Sequence, residues 1–471
     1  MKDYYFRMNK RKAGQLSLLF FTIVTIIHVL DWNNIATIPK TVLSVSRWAF
    51  VATLCIYALY KKSLTAWIMV SMALGVLIGY EYPVFSQELK FLRQIFLNLV
   101  KAIVAPLLFS TLVVGIAGHS NLKQVGRLGW KSLLYFEVVT TIALAIGLIA
   151  INLSQAGVGI VQPEILERLP DTKPLTWDEH IVDIFPSNFI KAIYDGKVLQ
   201  IVVFSVLFAI GLAMLKEEKK RPMLKACESL SEAMFKFTNI IMYFAPIGIG
   251  AAMAFTVGHL GIGVLKNLFH LVLTLYASLI VFLFGVLLPV ALIIKLPIRK
   301  FIQAIREPVS IAFATTSSDS ALPKAMENME KFGVPRKIVS FVIPTGYTFN
   351  LDGTTLYLSL ASVFVAQAAG IPMSIGAQVT MGLILMLTSK GVAAVPRASL
   401  VILIATADQF HLPLWPIAAI FGIDELMDMA RTSVNVIGNT LASCVVARWE
   451  GEFDDKKALA FNEKEADAIR D

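Results

Sequence analysis

Six polar residues late in the chain carry the strongest chemical signal. Asp424, Asp428, Arg431, Thr432, Asn435 and Asn439 fall at i, i+4, i+7, i+8, i+11 and i+15. On an α-helix turning about 100° per residue they share one sector roughly 100° wide. The rest of the segment is apolar, including Leu426, Met427, Met429, Val434, Val436, Ile437 and Leu441. Ionisable groups at membrane depth are costly and mark a substrate or ion path by default. The Arg431 guanidinium is a planar fork suited to gripping a carboxylate, and Asp428 offers a fixed negative charge to an ammonium. Both on one face, one turn apart, predict a ligand carrying carboxylate and amine together, an acidic amino acid. The competing reading is an internal ion pair, since Arg431 stands at i+3 from Asp428. The stripe extends well beyond one pair, which favours the path.

A second constellation is Gly346-Tyr347-Thr348-Phe349-Asn350-Leu351-Asp352-Gly353-Thr354-Thr355. Hard monovalent cations take carboxylate, amide and carbonyl oxygens, and the two glycines would let backbone carbonyls turn inward. An Asn-x-Asp-Gly turn is the bland alternative, but here it would sit inside a buried crossing. Glu137 is a further acidic residue within an apolar run. Desolvation favours the protonated form of a carboxyl, so Glu137 and Asp424 are the proton-carrier candidates, with Glu137 preferred. A Glu137 that reaches interfacial water is an equally weighted alternative.

These residues need a mostly apolar frame, and the composition supplies one. The 471 residues are 56% hydrophobic and 16% charged, against about 45–50% and 25% for soluble domains; the mean hydropathy is +0.70. The net charge of +9 comes largely from basic clusters beside apolar runs, the positive-inside pattern rather than a nucleic-acid footprint. Three scattered cysteines give neither a disulfide framework nor a metal spacing. The composition excludes a disulfide scaffold, a disordered chain and a nucleic-acid reader. It fits an all-α polytopic membrane protein.

Apolar runs able to cross a bilayer of roughly 30 Å cover about 14–31, 44–60, 64–82, 91–118, 131–155, 195–215, 230–258 and 264–295. The first two, flanked by Lys10, Arg11, Lys12, Lys61 and Lys62, read as an added hairpin over 1–62 rather than a signal peptide, because no small-x-small cleavage pattern follows. Polar connections are expected at 156–182 and at Lys216–Lys225, and a charged, solvated cytoplasmic tail at 450–471. From about 308 the apolar segments are interrupted, and a repeat emerges. Thr316-Ser317-Ser318-Asp319-Ser320-Ala321-Leu322-Pro323-Lys324-Ala325 parallels Thr388-Ser389-Lys390-Gly391-Val392-Ala393-Ala394-Val395-Pro396-Arg397-Ala398, each some 30 residues before an acidic motif. Interrupted apolar segments at matching positions of two halves point to a transporter binding site.

Together these motifs resemble the dicarboxylate/amino acid:cation symporter family, which includes the glutamate transporters, over about residues 64 to 450. The resemblance implies eight transmembrane helices, two re-entrant hairpins (about 308–340 and 375–410) and a homotrimer. It further implies an elevator, with scaffold helices at about 64–118 and 183–258 and a transport part at about 128–155 and 264–448. Carried onto this chain, the family's substrate contacts fall on Thr316, Ser317, Ser318 and Thr354, and on Val395, Pro396, Arg397, Ala398 and Ser399. In the last helix, Asp428 would take the amino group and Arg431 the side-chain carboxylate, with Thr432 and Asn435 completing the contacts. The cation positions are Gly346, Asn350, Asp352, Asn435, Thr140 and Thr141, with Asn439 beside them; Thr348 and Ser389 belong to a second cation site.

Three departures matter. Asn439 stands where sodium-coupled members have Asp, Lys390 stands at the second hairpin tip, and Ala394, Arg397 and Ser399 replace that hairpin's usual glycines. The first two weaken the case for sodium and resemble the bacterial proton/glutamate symporters. The expectation is therefore a cation-coupled, proton-driven importer of glutamate and aspartate. It would lie in the plasma (inner) membrane with both termini cytoplasmic, without a cofactor beyond H+ and/or Na+ as coupling ion. The alternatives are a C4-dicarboxylate symporter, a sodium-coupled glutamate/aspartate transporter and a passive anion channel. No nucleophile–base or metal constellation suggests an enzyme.

Overall fold

The computed structural model describes residues 10–33, 35, 37–118, 122–160, 182, 185–195, 197–389, 398–410 and 412–461. Among these the chain is helical throughout, with no strand. In order the helices are α1 (Lys10–Trp32), α2 (Lys40–Lys61), α3 (Leu64–Glu81), α4 (Pro83–Glu88), α5 (Lys90–Ala117), α6 (Leu122–Ser154), α7 (Phe189–Tyr194), α8 (Val198–Ala213) and α9 (Glu217–Leu260). Then come α10 (Val264–Ile293), α11 (Ile298–Thr315), α12 (Ser318–Lys331), α13 (Arg336–Phe349), α14 (Asp352–Ala368), α15 (Ile375–Ser389), α16 (Ala398–Gln409), α17 (Trp415–Glu450) and α18 (Asp455–Ala460). Six of the described helices are long and apolar enough to cross a membrane: α1, α2, α3, α6, α9 and α10, where α6 qualifies from Arg127. This is a polytopic membrane protein.

The basic connection expected at Lys216–Lys225 is instead the first part of α9. Its Glu, Lys, Ala and Leu residues are strong helix formers, and Lys220 pairs with Glu217 at i+3. The 156–182 connection lies mostly outside the described residues.

Two compact units divide the chain, Met1–Leu99 with Ile240–Leu265, and Val100–Asn239 with Lys266–Asp471. In the first, α3 runs against the later half of α9, and a Cβ on Gly75 would strike the Gly250 carbonyl. In the second, α14 is the central helix, with every residue from Asp352 to Ala366 buried, as an apolar helix covered all round must be. It packs on α6 and α17; Gly147 of α6 leaves room for Ser359 and the Leu356 carbonyl.

The first interrupted segment becomes a helix–turn–helix pair, α11–α12, and the second packs α15 on α16. The first pair turns at Thr316, which holds a left-handed φ of 53°, and Ser317, whose hydroxyl caps α12 by accepting from the Ser320 N–H at 3.4 Å. The stretch 390–397 between α15 and α16 lies outside the described residues.

The tail is not a solvated end over its first part. Beyond α17 the chain folds back under the α12–α13 turn, where the Asp454 N–H donates to the Gly333 carbonyl at 2.9 Å. Gly333 has φ +106°, and a Cβ there would strike the Asp454 carbonyl. Phe332 sits 5.9 Å from each of Phe301, Phe453 and Phe461, and Phe461 is buried. Lys337 pairs with Glu452 at 2.8 Å. Hydrogen bonding from Arg448 holds the Asp455 carboxyl below its ordinary range. Aromatic burial overrides the charged composition that made this stretch read as solvated.

Candidate functional site

The polar stripe is one face of α17, and Asp424, Asp428, Arg431, Thr432, Asn435 and Asn439 are all buried. Arg431 lies at the centre of an ion cluster. Its Nε donates to Asp428 Oδ1 at 2.9 Å, and its two terminal nitrogens donate to the two oxygens of Asp424 at 3.0 and 3.3 Å. The guanidinium carbon stacks 4.2 Å from the ring centre of Tyr357 on α14, a cation–π contact. The internal ion pair weighed above thus exists, and it includes Asp424 as well. Asp424, a proton-carrier candidate from the sequence, occupies both terminal nitrogens of the guanidinium fork.

The cluster is not self-sufficient. Among the described ion pairs, one guanidinium meets two buried carboxylates, and buried charge is costly unless compensated. Asp428 Oδ1 also accepts from the Thr432 hydroxyl at 2.9 Å, while Asp428 Oδ2 is buried and takes no hydrogen bond. A buried acceptor left unsatisfied costs about 1–3 kcal/mol. A ligand ammonium at Oδ2 would remove that cost.

One to two turns on, Asn435 ties α17 to the start of α14. Its Oδ1 accepts from the Gly353 and Thr354 N–H groups at 2.8 and 3.3 Å, and its Nδ2 donates to the Thr354 hydroxyl at 3.0 Å. A second group lies beside it. Asn350 Nδ2 donates to Asp352 Oδ2 and to Asn439 Oδ1, both at 3.2 Å, and Asn439 Nδ2 donates to the Asn350 carbonyl at 3.3 Å. Asn350 Oδ1 is buried without a partner. Asp352, Asn350 and Asn439 therefore gather a carboxylate, amide oxygens and a carbonyl at one place, the donor set of a monovalent cation site. Only Asp352 among these three brings a formal charge.

The glycines of this motif act differently from the expectation. The Gly346 carbonyl stays in its helix, accepting from the Asn350 N–H at 2.7 Å. A Cβ on Gly346 would overlap Asn439 Oδ1, one on Gly353 the Arg431 carbonyl, and one on Gly438 Asp352 Oδ2. Close approach of α13 and α14 to α17 requires them, not carbonyl freedom.

The other expected residues are placed less centrally. Thr316 and Ser318 are buried and Ser317 half-buried, and α11 and α12 both pack on α17. Ser399 is buried with a hydroxyl that has no partner. Val395, Pro396 and Arg397 lie outside the described residues, as do Lys390, Ala394 and the Ala398 side chain. Thr140 is buried, but its hydroxyl bonds the Phe136 carbonyl at 2.6 Å. Thr141 is exposed and bonds the Glu137 carbonyl at 2.6 Å; the structure does not bring it to the Asp352 group. Thr348 is half-buried, and the Ser389 hydroxyl donates to the Met386 carbonyl at 2.9 Å. Glu137 is half-buried on α6 beside the exposed Leu133, Leu134 and Val138, so the full burial that favoured it is not met. Tyr357 escaped the sequence reading because an aromatic in an apolar helix reads as core. Its position five residues after Asp352 was the only available signal.

Known proteins resemble this chain over most of its length. The pattern of the Sodium:dicarboxylate symporter family matches residues 64–449. The "Proton/sodium-glutamate symport protein" of Bacillus caldotenax is 42% identical over 413 residues, 85% of this chain and 98% of the relative. The "Proton/glutamate-aspartate symporter" of Escherichia coli (strain K12) is 41% identical over 419 residues, 85% and 96% of the two chains. The "C4-dicarboxylate transport protein" of Bacillus subtilis (strain 168) is 39% identical over 407 residues, 84% and 96%.

Proposed function

The chain belongs to the sodium:dicarboxylate symporter family, and on that footing we propose that it imports glutamate and aspartate with coupling cations, protons foremost. One observation carries the substrate assignment: beside the buried guanidinium of Arg431, Asp428 keeps a buried carboxylate oxygen without a partner. A dicarboxylate lacking an amine would leave that oxygen unsatisfied. This favours an amino acid over a C4-dicarboxylate, the substrate named for the Bacillus subtilis relative. In this reading Thr316, Ser317, Ser318, Thr354 and Asn435 line the ligand with Asp428 and Arg431, and the 395–399 stretch closes over it. The eight-span, two-hairpin homotrimer, its elevator motion and the cytoplasmic termini belong to the same proposal.

Proton coupling has a physical route through Asp424. Its carboxylate and a substrate carboxylate compete for the same guanidinium fork. A proton on Asp424 replaces an ion pair by a hydrogen bond from the guanidinium to an uncharged carboxyl, removing the Coulomb attraction that held the fork. Arg431 is thereby released to the substrate. Proton and substrate then favour each other's binding, which is the linkage that symport requires. Asp352, Asn350 and Asn439 supply the second ion position. With a single formal charge it is a weak sodium site, so the sodium-coupled reading stands second.

Uptake into proteoliposomes under an imposed pH gradient or sodium gradient, applied separately, tests the proposal. Accumulation of glutamate driven by the pH gradient in sodium-free medium is expected. Strict sodium dependence without response to pH would overturn it.

A further inference from the structure

The hairpin α1–α2 precedes the segment that matches the family, which begins at residue 64. It is fastened to α3, the first helix of that segment, by a polar clasp built on Glu81. One Glu81 oxygen accepts from the Ser44 hydroxyl at 2.9 Å and the Trp48 indole N–H at 2.8 Å. The other accepts from Arg47 Nε at 3.0 Å and pairs with a terminal nitrogen of Arg47 at 2.9 Å. All three donors lie on α2. Arg47 also stacks 4.9 Å from the Tyr80 ring centre and reaches His28 Nε2 of α1 at 3.2 Å. The clasp therefore joins three helices at one end of the hairpin.

The opposite end is closed by small side chains. Ala58 of α2 with Ala66 and Val70 of α3 form a buried cluster, flanked by Leu54 and Cys55. Between α1 and α2, the Ser17 hydroxyl donates to the Thr53 carbonyl at 2.9 Å, and Gly14 admits the Tyr57 ring. A carboxylate at the end of an apolar span is expensive unless paired, and Ser44, Arg47 and Trp48, the donors to Glu81, all belong to α2. Glu81 is thus a receptor for the hairpin.

We propose that residues 10–61 are a built-in accessory subunit that remains clamped to α3 through the Glu81 clasp during the whole transport cycle. The outer face of α1, with Leu18, Leu19, Ile26 and Val29 exposed, is turned to lipid. The statement about the cycle rests on the reading of the chain as a symporter, and the experiment separates the two. In a background with Cys55, Cys227 and Cys444 replaced, the pair A58C and A66C is oxidised in proteoliposomes, and L54C with V70C serves as a second pair. Glutamate uptake by the reduced protein checks the symporter reading by itself. Ready crosslinking with uptake within twofold of the reduced sample is expected, and E81A should slow crosslinking about tenfold. Failure of both pairs to crosslink, an unchanged crosslinking rate in E81A, or a tenfold loss of uptake reversed by reductant would each overturn the proposal.

Discussion

Replacing Asp428 by Asn isolates the group on which the substrate assignment turns. The change keeps the size and preserves an oxygen to accept from Arg431 Nε and the Thr432 hydroxyl, both at 2.9 Å in the parent. It removes the negative charge, and it substitutes an N–H₂ donor for the partnerless Oδ2. A hydrogen bond to a charged group contributes about 1.5–3 kcal/mol. At about 1.4 kcal/mol per decade, losing the one to a ligand ammonium raises the glutamate Kd by roughly 10- to 150-fold. Opposing donors push the effect toward the upper limit. Succinate, which has two carboxylates and no amine, should change by no more than about threefold or bind better, because a negative charge is gone. Isothermal calorimetry on the purified protein, with both ligands at one pH, gives the comparison. Equal losses for glutamate and succinate, or an unchanged glutamate Kd, would refute the role of the free oxygen.

Three further outcomes are expected. Asp424→Asn should leave glutamate exchange working while abolishing accumulation driven by a proton gradient in proteoliposomes, and substrate binding should lose its pH dependence; retained proton-driven accumulation would return the role to Glu137. Asn439→Asp adds a second formal charge beside Asp352 and Asn350, so sodium should tighten glutamate binding at least about tenfold in calorimetry, where the parent responds weakly. Phe461→Ala removes a ring from the cluster under the α12–α13 turn, a loss of about 3–5 kcal/mol for a buried phenylalanine; a thermal melt of the detergent-purified protein should shift downward, and an unchanged Tm would mean the tail contributes nothing.

The sequence alone determined the membrane class, the helical character of the apolar runs and the polar face of α17. All are periodic or compositional signals, read within one stretch of chain. It also brought Asn350, Asp352 and Asn439 to attention, and the structure gathers those three. What it left open was which side chains meet, within a helix or between two. Nothing in the pattern said that Asp424, two turns from Arg431, would hold the guanidinium fork. Nor did it say that Tyr357 of α14 would stack on that group, that Gly346 and Gly353 would serve close packing, or that Thr141 would point away. The first part of the tail read as solvated because its charges are local, whereas the packing of Phe453 and Phe461 depends on Phe332, more than a hundred residues earlier. The clasp on Glu81 is of the same kind, since its donors lie on a helix that only folding places beside it. A side chain's type fixes what it can donate or accept; the tertiary structure decides which partner arrives, and for buried charges that choice sets whether the group is a strut or a site.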